Sequence, residues 1–148
     1  MKKLSCGTLI VRNNNGSKEL FMAHATNKPF WDIPKGGKTE NESYIDGAIR
    51  ELLEEAGFRC SKEELLDLGL FDYTERKDLY LFKYIGNKEF KLEYAKCTST
   101  FFSQIYQKRL PEVDAFKYIP FEEVLSYCSE GFKNVFPRLI KEGIIWFI

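Results

Sequence analysis

The chain alternates short apolar runs with clusters of turn-forming residues, and the period of each run predicts an element. Residues 4–11 are almost continuously apolar and predict a buried strand. Asn13-Asn14-Asn15-Gly16 predicts a turn and residues 19–25 a second strand, so the chain is expected to open with a hairpin. Residues 27–38 contain Pro29, Pro34, Gly36 and Gly37 and predict a loop, with a short strand at Trp31-Asp32-Ile33. The period then changes. Ile45, Ala48, Ile49, Leu52, Leu53 and Ala56 recur at helical spacing and predict a helix over 41–56 with one apolar stripe. Thr39 and Glu42 have capping-box spacing, Asn41 is a second candidate cap, and Gly57 supplies the stop.

Further along, residues 65–73 and 78–85 predict strands joined by the charged turn Thr74-Glu75-Arg76-Lys77. Residues 91–102 and 116–119 predict two more strands. Residues 121–127 and 133–141 predict helices, with Pro137 opposing the second. Strands before, between and after helices predict an α/β fold: a mixed sheet covered on both faces. No repeat or linker interrupts the 148 residues, so a single domain over 1–148 is expected.

Charge and cysteine content narrow the function classes. Lys plus Arg and Asp plus Glu each number 22, so net charge is zero. That argues against a strongly basic nucleic-acid or membrane-surface binder and leaves room for a local basic patch. Cys6, Cys60, Cys97 and Cys128 show no C-x2-C spacing, which argues against a zinc or dithiol site. The apolar run after Lys2-Lys3 is too short to span a membrane, and no small-residue cleavage site follows it. A reduced, cytoplasmic protein is expected.

The chemistry concentrates on the predicted helix. Glu51, Glu54 and Glu55 stand at i, i+3 and i+4 and share one face at the edge of the apolar stripe. Such like charges repel by about 0.2–0.5 kcal/mol per pair on an exposed helix. Arg50 can pair with Glu54, but one cation does not balance three anions, whereas a divalent cation such as Mg²⁺ would. A solvated acidic face is the commoner explanation of such a cluster taken alone. The frame around it changes that. Gly36, Glu42, Arg50, Glu51, Leu52, Glu54, Glu55, Gly57 and Phe58 match G-x5-E-x7-R-E-U-x-E-E-x-G-U at every defined position, with U bulky and apolar. Ordinary composition would produce that match by chance in a chain of this length about once in 10⁷.

This pattern is the Nudix box, and the chain resembles the Nudix hydrolases. The resemblance implies an α/β/α sandwich around a mixed sheet, and hydrolysis of a nucleoside diphosphate linked to another group. It also implies Mg²⁺, or Mn²⁺, as cofactor. It casts Glu51, Glu54 and Glu55 as metal ligands or base, Arg50 as the residue that orients them, and Gly36 as a close backbone approach to metal or phosphate. Glu112 is the candidate for an additional acidic ligand or base outside the box, with Asp114 as second choice. The base is left open between Glu51 and Glu112.

The substrate indications are weaker. Trp31 through Gly36 resembles diadenosine polyphosphate hydrolases and messenger-RNA decapping enzymes, and Pro111-Glu112-Val113-Asp114 resembles bacterial RNA 5′-pyrophosphohydrolases. Both imply a polyphosphate: a dinucleoside polyphosphate, or an RNA 5′-triphosphate or cap. Lys35, and Arg76 with Lys77, are candidate phosphate contacts. Tyr80, Phe116, Phe30 and Tyr73 are candidate base-stacking residues, core packing being the commoner role for each. Trp31 and the single histidine, His24, read as structural. Gly47, inside the helix, implies close packing. Zero net charge favours a small nucleotide over long RNA. The competing functions are a nucleotide-pool sanitising pyrophosphatase and a non-catalytic nucleotide-binding module; oligomeric state is open.

Overall fold

In a computed structural model, which describes residues 2–143, ten strands and three helices follow one another along the chain. They are β1 (Lys3–Leu9), β2 (Val11–Asn14), β3 (Ser17–Ala25), β4 (Trp31–Asp32), β5 (Lys35–Gly37), α1 (Tyr44–Ala56), β6 (Leu65–Thr74), β7 (Lys77–Tyr84), β8 (Thr100–Ser103), β9 (Lys108–Pro111), β10 (Val113–Pro120), α2 (Val124–Tyr127) and α3 (Glu130–Lys141). One sheet has the order β5-β1-β7-β6. Its β1–β7 pair is parallel and the others antiparallel, so the sheet is mixed. A second, antiparallel sheet runs β10-β3-β2, with β4 also on β3. Strands β8 and β9 pair only with each other.

Side-chain alternation along β7 shows how the layers stack. Leu79 and Leu81 join one core cluster with Phe132, Val135, Phe136 and Leu139 of α3. Phe82 and Tyr84 join the other with Ala48, Leu52 and Ala56 of α1. The two helices thus cover opposite faces, giving the expected α/β/α sandwich.

Several elements differ from the sequence expectation. The apolar run 4–11 breaks at Ile10: β1 enters the mixed sheet and β2 pairs with β3. Periodicity marked the run as buried but carried no information about its partner. The turn narrows to Asn15-Gly16, whose φ values of 52° and 90° suit Asn and Gly in a two-residue hairpin. Helix α1 starts later than 41, at Tyr44, because Ser43 is its cap and accepts from Asp46 N at 3.2 Å. Glu42 accepts from Thr39 N at 2.9 Å, so half of the capping box closes the turn before the helix. Gly57 ends the helix as expected, with φ 74°.

Residues 91–102 are mostly irregular, with one 3₁₀ turn at Leu92–Tyr94. Their amides serve the open end of α1: Lys96 N donates to Ala56 O (2.9 Å), and Thr98 N and Ser99 N to Glu54 O (2.7 and 3.3 Å). Only β8 survives of that predicted strand. Strands β5 and β9 were not expected, since Lys-Gly-Gly and Lys-Arg-Leu-Pro carry no apolar alternation. Pro137 lies inside α3, whose cap Ser129 accepts from Phe132 N. All four cysteines are free. Among the described residues no helix is long and apolar enough to cross a membrane.

Candidate active site

Strand β5 and helix α1 bring Gly36 and the glutamates together, with Arg50 at the centre. Its Nε and Nη2 donate to the two oxygens of Glu42 (3.0 and 2.6 Å), and Nη2 also to Gly37 O (2.8 Å). Its Nη1 donates to Glu51 Oε1 (2.9 Å) and Glu54 Oε2 (3.0 Å). The planar guanidinium thus ties the helix to β5 and fixes three carboxylates. Hydrogen bonds from Arg50 hold Glu42 down at about 2.

Glu51 and Glu55 were expected at the edge of the apolar stripe. They are 8% and 7% exposed, among the buried residues. Burial pushes Glu55 up to about 8 against the pull of the Lys35 ammonium, and the charges of Glu51 and Glu112 add to the rise. Burial raises Glu51 as well, opposed by Arg50 and helped by Glu54 and Glu112. Glu55 Oε1 accepts from Lys35 N at 3.2 Å.

Gly36 is where β5 leaves room for Glu51. A Cβ there would collide with the Glu51 carboxylate. Gly36→Ala is therefore expected to expel the Glu51 carboxylate and lower kcat by about 100-fold, while circular dichroism stays native. A Gly36→Ala enzyme with full kcat would show that Glu51 is not needed where it stands. At Gly47 a Cβ would lie 3.2 Å from Glu42 Oε1 and 3.3 Å from Cys6 Sγ, the close packing the sequence implied.

A cavity of about 370 Å³ opens beside the cluster. Glu55 and Glu112 line it, together with Asp32, Lys28, Lys35, Lys77, Thr26, Phe30 and Phe101. Lys35 Nζ lies 3.8 Å from buried Asp32 Oδ2. Asp32 Oδ2 in turn accepts from Tyr73 OH and from Ser129 Oγ (2.6 Å). Burial works against the Lys35 charge, but Asp32, Tyr73 and Glu55 outweigh it and hold the ammonium charged. The hydroxyl of Thr26 is buried without a hydrogen-bond partner. A larger cavity of about 870 Å³ between the β2–β3 turn and α3 is lined by Phe121, Leu125, Phe136 and Ile140, and none of the acidic cluster reaches it.

The other sequence candidates separate. Lys77, not Arg76, lines the cavity; Arg76 sits on the exposed β6–β7 turn. Tyr80 stacks on Tyr44 (centroids 4.3 Å apart) and donates to Asp67 at 2.8 Å, away from the cavity lining. Phe116 stacks on Phe21 at the edge of the core. Tyr73 is buried, and of the four aromatic candidates only Phe30 lines the cavity. Asp114 is taken by His24 Nδ1 at 2.7 Å.

Sequence reasoning missed Asp32, Thr26 and Phe101. The doublet Phe101-Phe102 on a short strand was a usable signal, since alternation turns one ring in and one out. Nothing local marked Asp32, whose partners lie 41 and 97 residues away.

The donor set suits a hard divalent cation, since the carboxylates of Glu51, Glu54, Glu55 and Glu112 and nearby backbone carbonyls offer oxygen alone. Among the described residues no group of three or more acidic, imidazole or thiol side chains is arranged to hold a metal ion by itself. Mg²⁺ does not require one, because it keeps waters and commonly takes one or two carboxylates plus substrate phosphates. Burial is the main cause of the raised Glu51 and Glu55, neighbouring glutamates add to it, and Arg50 and Lys35 offset only part of the rise.

Comparison with known proteins agrees with this arrangement. A family model described as NUDIX domain matches residues 1–139. An uncharacterized 17.7 kDa protein of Enterobacteria phage T4 is 40% identical over 131 residues, covering 81% of this chain and 83% of that protein. The RNA pyrophosphohydrolase of Sulfurovum sp. (strain NBC37-1) is 30% identical over 138 residues, covering 86% and 85%. An Ap4A hydrolase from C. elegans, solved as a binary complex, shares the fold with a TM-score of 0.66 at 20% identity, over 98% of this chain and 99% of that one. An intact box, a buried glutamate cluster organised by one arginine and a family match over nearly the whole length agree, and the chain belongs to the NUDIX family.

Proposed function

We propose that the chain, a hydrolase of phosphoanhydride bonds, cleaves the 5′-polyphosphate of an RNA with the help of Mg²⁺. The observation that carries this is the composition of the 370 Å³ cavity. The carboxylates of Glu55 and Glu112 face the same space as three lysines and two phenylalanine rings. Lysines suit phosphate oxygens and aromatic faces suit a base. The volume is at the small end for ligand sites and fits one nucleotide unit. The similarity to RNA pyrophosphohydrolases supports the same reading.

The residues assign themselves to roles. Lys35, kept charged by Asp32, meets phosphate from the cavity floor. Arg50 holds Glu51 and Glu54 in one orientation. When bound, a divalent cation held by Glu51, Glu54, Glu55 and Glu112 neutralises phosphate oxygens and lowers the pKa of the attacking water. The water oxygen bonds to one phosphorus, the bond from that phosphorus to the bridging oxygen breaks, the other phosphate leaves with that oxygen and its electron pair, and the water proton passes to an ionised carboxylate. Glu55 and Glu112 are the acceptors that line the cavity. Glu51 is less free, packed on Gly36 and tied to Arg50.

A panel of triphosphorylated RNA, diadenosine tetraphosphate, nucleoside triphosphates and oxidised nucleoside triphosphates tests the proposal, with products identified in Mg²⁺ and in EDTA. The expected result is Mg²⁺-dependent conversion of the RNA to a 5′-monophosphate with the highest kcat/KM. Preference for diadenosine tetraphosphate, whose hydrolase shares this fold, would move the assignment to dinucleoside polyphosphates. Preference for an oxidised triphosphate would make the protein a nucleotide-pool sanitiser, and tight binding without product a non-catalytic module.

A further inference from the structure

The segment from residue 91 to residue 111 is unlike the rest of the surface. It carries Leu92, Tyr94, Phe102, Ile105 and Tyr106, five of the ten exposed large hydrophobic side chains among the described residues. Tyr94 is 71% exposed, Ile105 85% and Tyr106 58%. Its charge is also one-sided. Lys91, Lys96, Lys108 and Arg109 face a single acid, Glu93, in a chain whose net charge is zero. Exposed aromatic rings interleaved with cations are the composition of a surface that follows a single-stranded polynucleotide, since every base offers a stacking face and every linkage a phosphate.

The segment is joined to the candidate active site. Lys96, Thr98 and Ser99 hydrogen-bond to the last turn of α1, two of them to the carbonyl of Glu54 itself. Phe101 then lines the cavity, and Glu112, directly after the β8–β9 hairpin, lines it again. The hairpin pairs with no other strand, so its backbone leaves the body of the protein beside the cavity. Phe101 and Leu110 form one cross-strand pair and Ser103 and Lys108 another, which puts Lys108 on the same hairpin face as Phe101.

From this juxtaposition we infer that residues 91–111 form a docking track for the single-stranded polynucleotide that follows the 5′ end held in the cavity, with Tyr94 and Tyr106 stacking bases and Lys91, Lys96 and Lys108 meeting phosphates. The inference rests on the polyphosphate reading above and narrows it: the preferred substrate is a 5′-polyphosphorylated oligonucleotide rather than a free nucleotide. Zero overall charge is no obstacle, because the cations needed for a short strand are gathered here.

The test uses the full chain and a 5′-monophosphorylated ten-nucleotide RNA, with binding measured by fluorescence anisotropy in EDTA over a range of salt. The oligonucleotide is expected to bind at least tenfold more tightly than the matching nucleoside monophosphate. Neutralising about three phosphates predicts a slope of log K against log salt near −2. Two variants, Tyr94→Ser/Tyr106→Ser and Lys91→Gln/Lys96→Gln/Lys108→Gln, change only exposed residues. Each is expected to lower oligonucleotide affinity about tenfold or more. Each should also lower the ratio of kcat/KM for triphosphorylated RNA to that for a nucleoside triphosphate by a similar factor, and the lysine variant should flatten the salt slope.

An oligonucleotide that binds no more tightly than the mononucleotide would overturn the inference, as would a ratio unmoved by either variant. So would variants that only convert a dimer to a monomer in light scattering, which would make this face an interface between copies. If the oligonucleotide binds as expected and no phosphoanhydride is cleaved, the track stands and the catalytic reading falls. If RNA is cleaved and the variants leave the ratio unmoved, the reverse holds.

Discussion

Glu55→Gln is expected to lower turnover by on the order of 10²–10³-fold and, in the absence of metal, to make the protein more stable at alkaline pH. The two effects share one cause. Glu55 is almost fully buried, and its pKa stands at about 8 rather than the ordinary 4.5. Between those values the native state binds more protons than the unfolded state, so metal-free stability falls as pH rises from about 4.5 to about 8 and is level above that. The accumulated cost is on the order of a few kcal/mol. Gln keeps the shape and can still accept from Lys35 N, but it has no proton to lose. Melting curves in EDTA from pH 5 to pH 9 should slope downward for the wild type and be flatter for the variant. Mg²⁺ should recover wild-type stability most at the alkaline end, since it binds the ionised carboxylate. A wild-type melting temperature independent of pH, or a variant with undiminished turnover, would remove Glu55 from the proposed centre.

The second large effect is at Arg50. Its guanidinium donates to Glu42, Glu51, Glu54 and the carbonyl of Gly37, and it is itself half-buried. Arg50→Ala leaves three carboxylates facing one another with their common partner gone. A fully buried pair broken this way costs about 3–5 kcal/mol, and partial solvent access here lowers that to about 1–3 kcal/mol. The expected kcat loss is about 100-fold or more, because the glutamates lose their fixed orientation. Arg50→Lys should recover part of the stability and little of the rate: an ammonium keeps the charge but not the planar reach to β5 and two turns of helix at once. Denaturant melts and steady-state kinetics on the two variants check both halves. A lysine enzyme as fast as the wild type would mean that charge alone is what the site needs.

The local geometry of the candidate site was more legible in the sequence than the strand pairing around it. Glu51, Glu54 and Glu55 lie on one helix, where spacing fixes geometry, and the pairing of Arg50 with Glu54 follows from 3.6 residues per turn, whereas Glu42 reaches Arg50 from the turn before the helix. What spacing hid was depth. The apolar stripe set the expected inward face, yet Glu51 and Glu55 are also buried, because β5 lies over that side and Gly36 gives the Glu51 carboxylate room. Strand β5 has no apolar side chain to betray it. Aromatic positions were the least legible. Tyr80 and Phe116 read the same in sequence as Phe30 and Phe101, and only tertiary structure sends the first pair to Tyr44 and Phe21 and the second to the cavity. Pairing across long loops was equally hidden: the run 4–11 was plainly apolar, but its division between two sheets depends on β7, some seventy residues downstream.

That division has a consequence for biosynthesis. Strand β1 lies between β5 and β7, near the middle of the mixed sheet, yet it leaves the ribosome before either of its partners. Its antiparallel neighbour β5 is three residues long, and its eight-residue parallel neighbour cannot pair along its full length until Tyr84 has emerged. Local hairpins such as β2–β3 can close earlier, while β1 waits with Cys6 and Leu9 unburied. The docking of β1 therefore waits on β7, and the sandwich is closed only later still, when β10 completes the second sheet and α3 covers the other face.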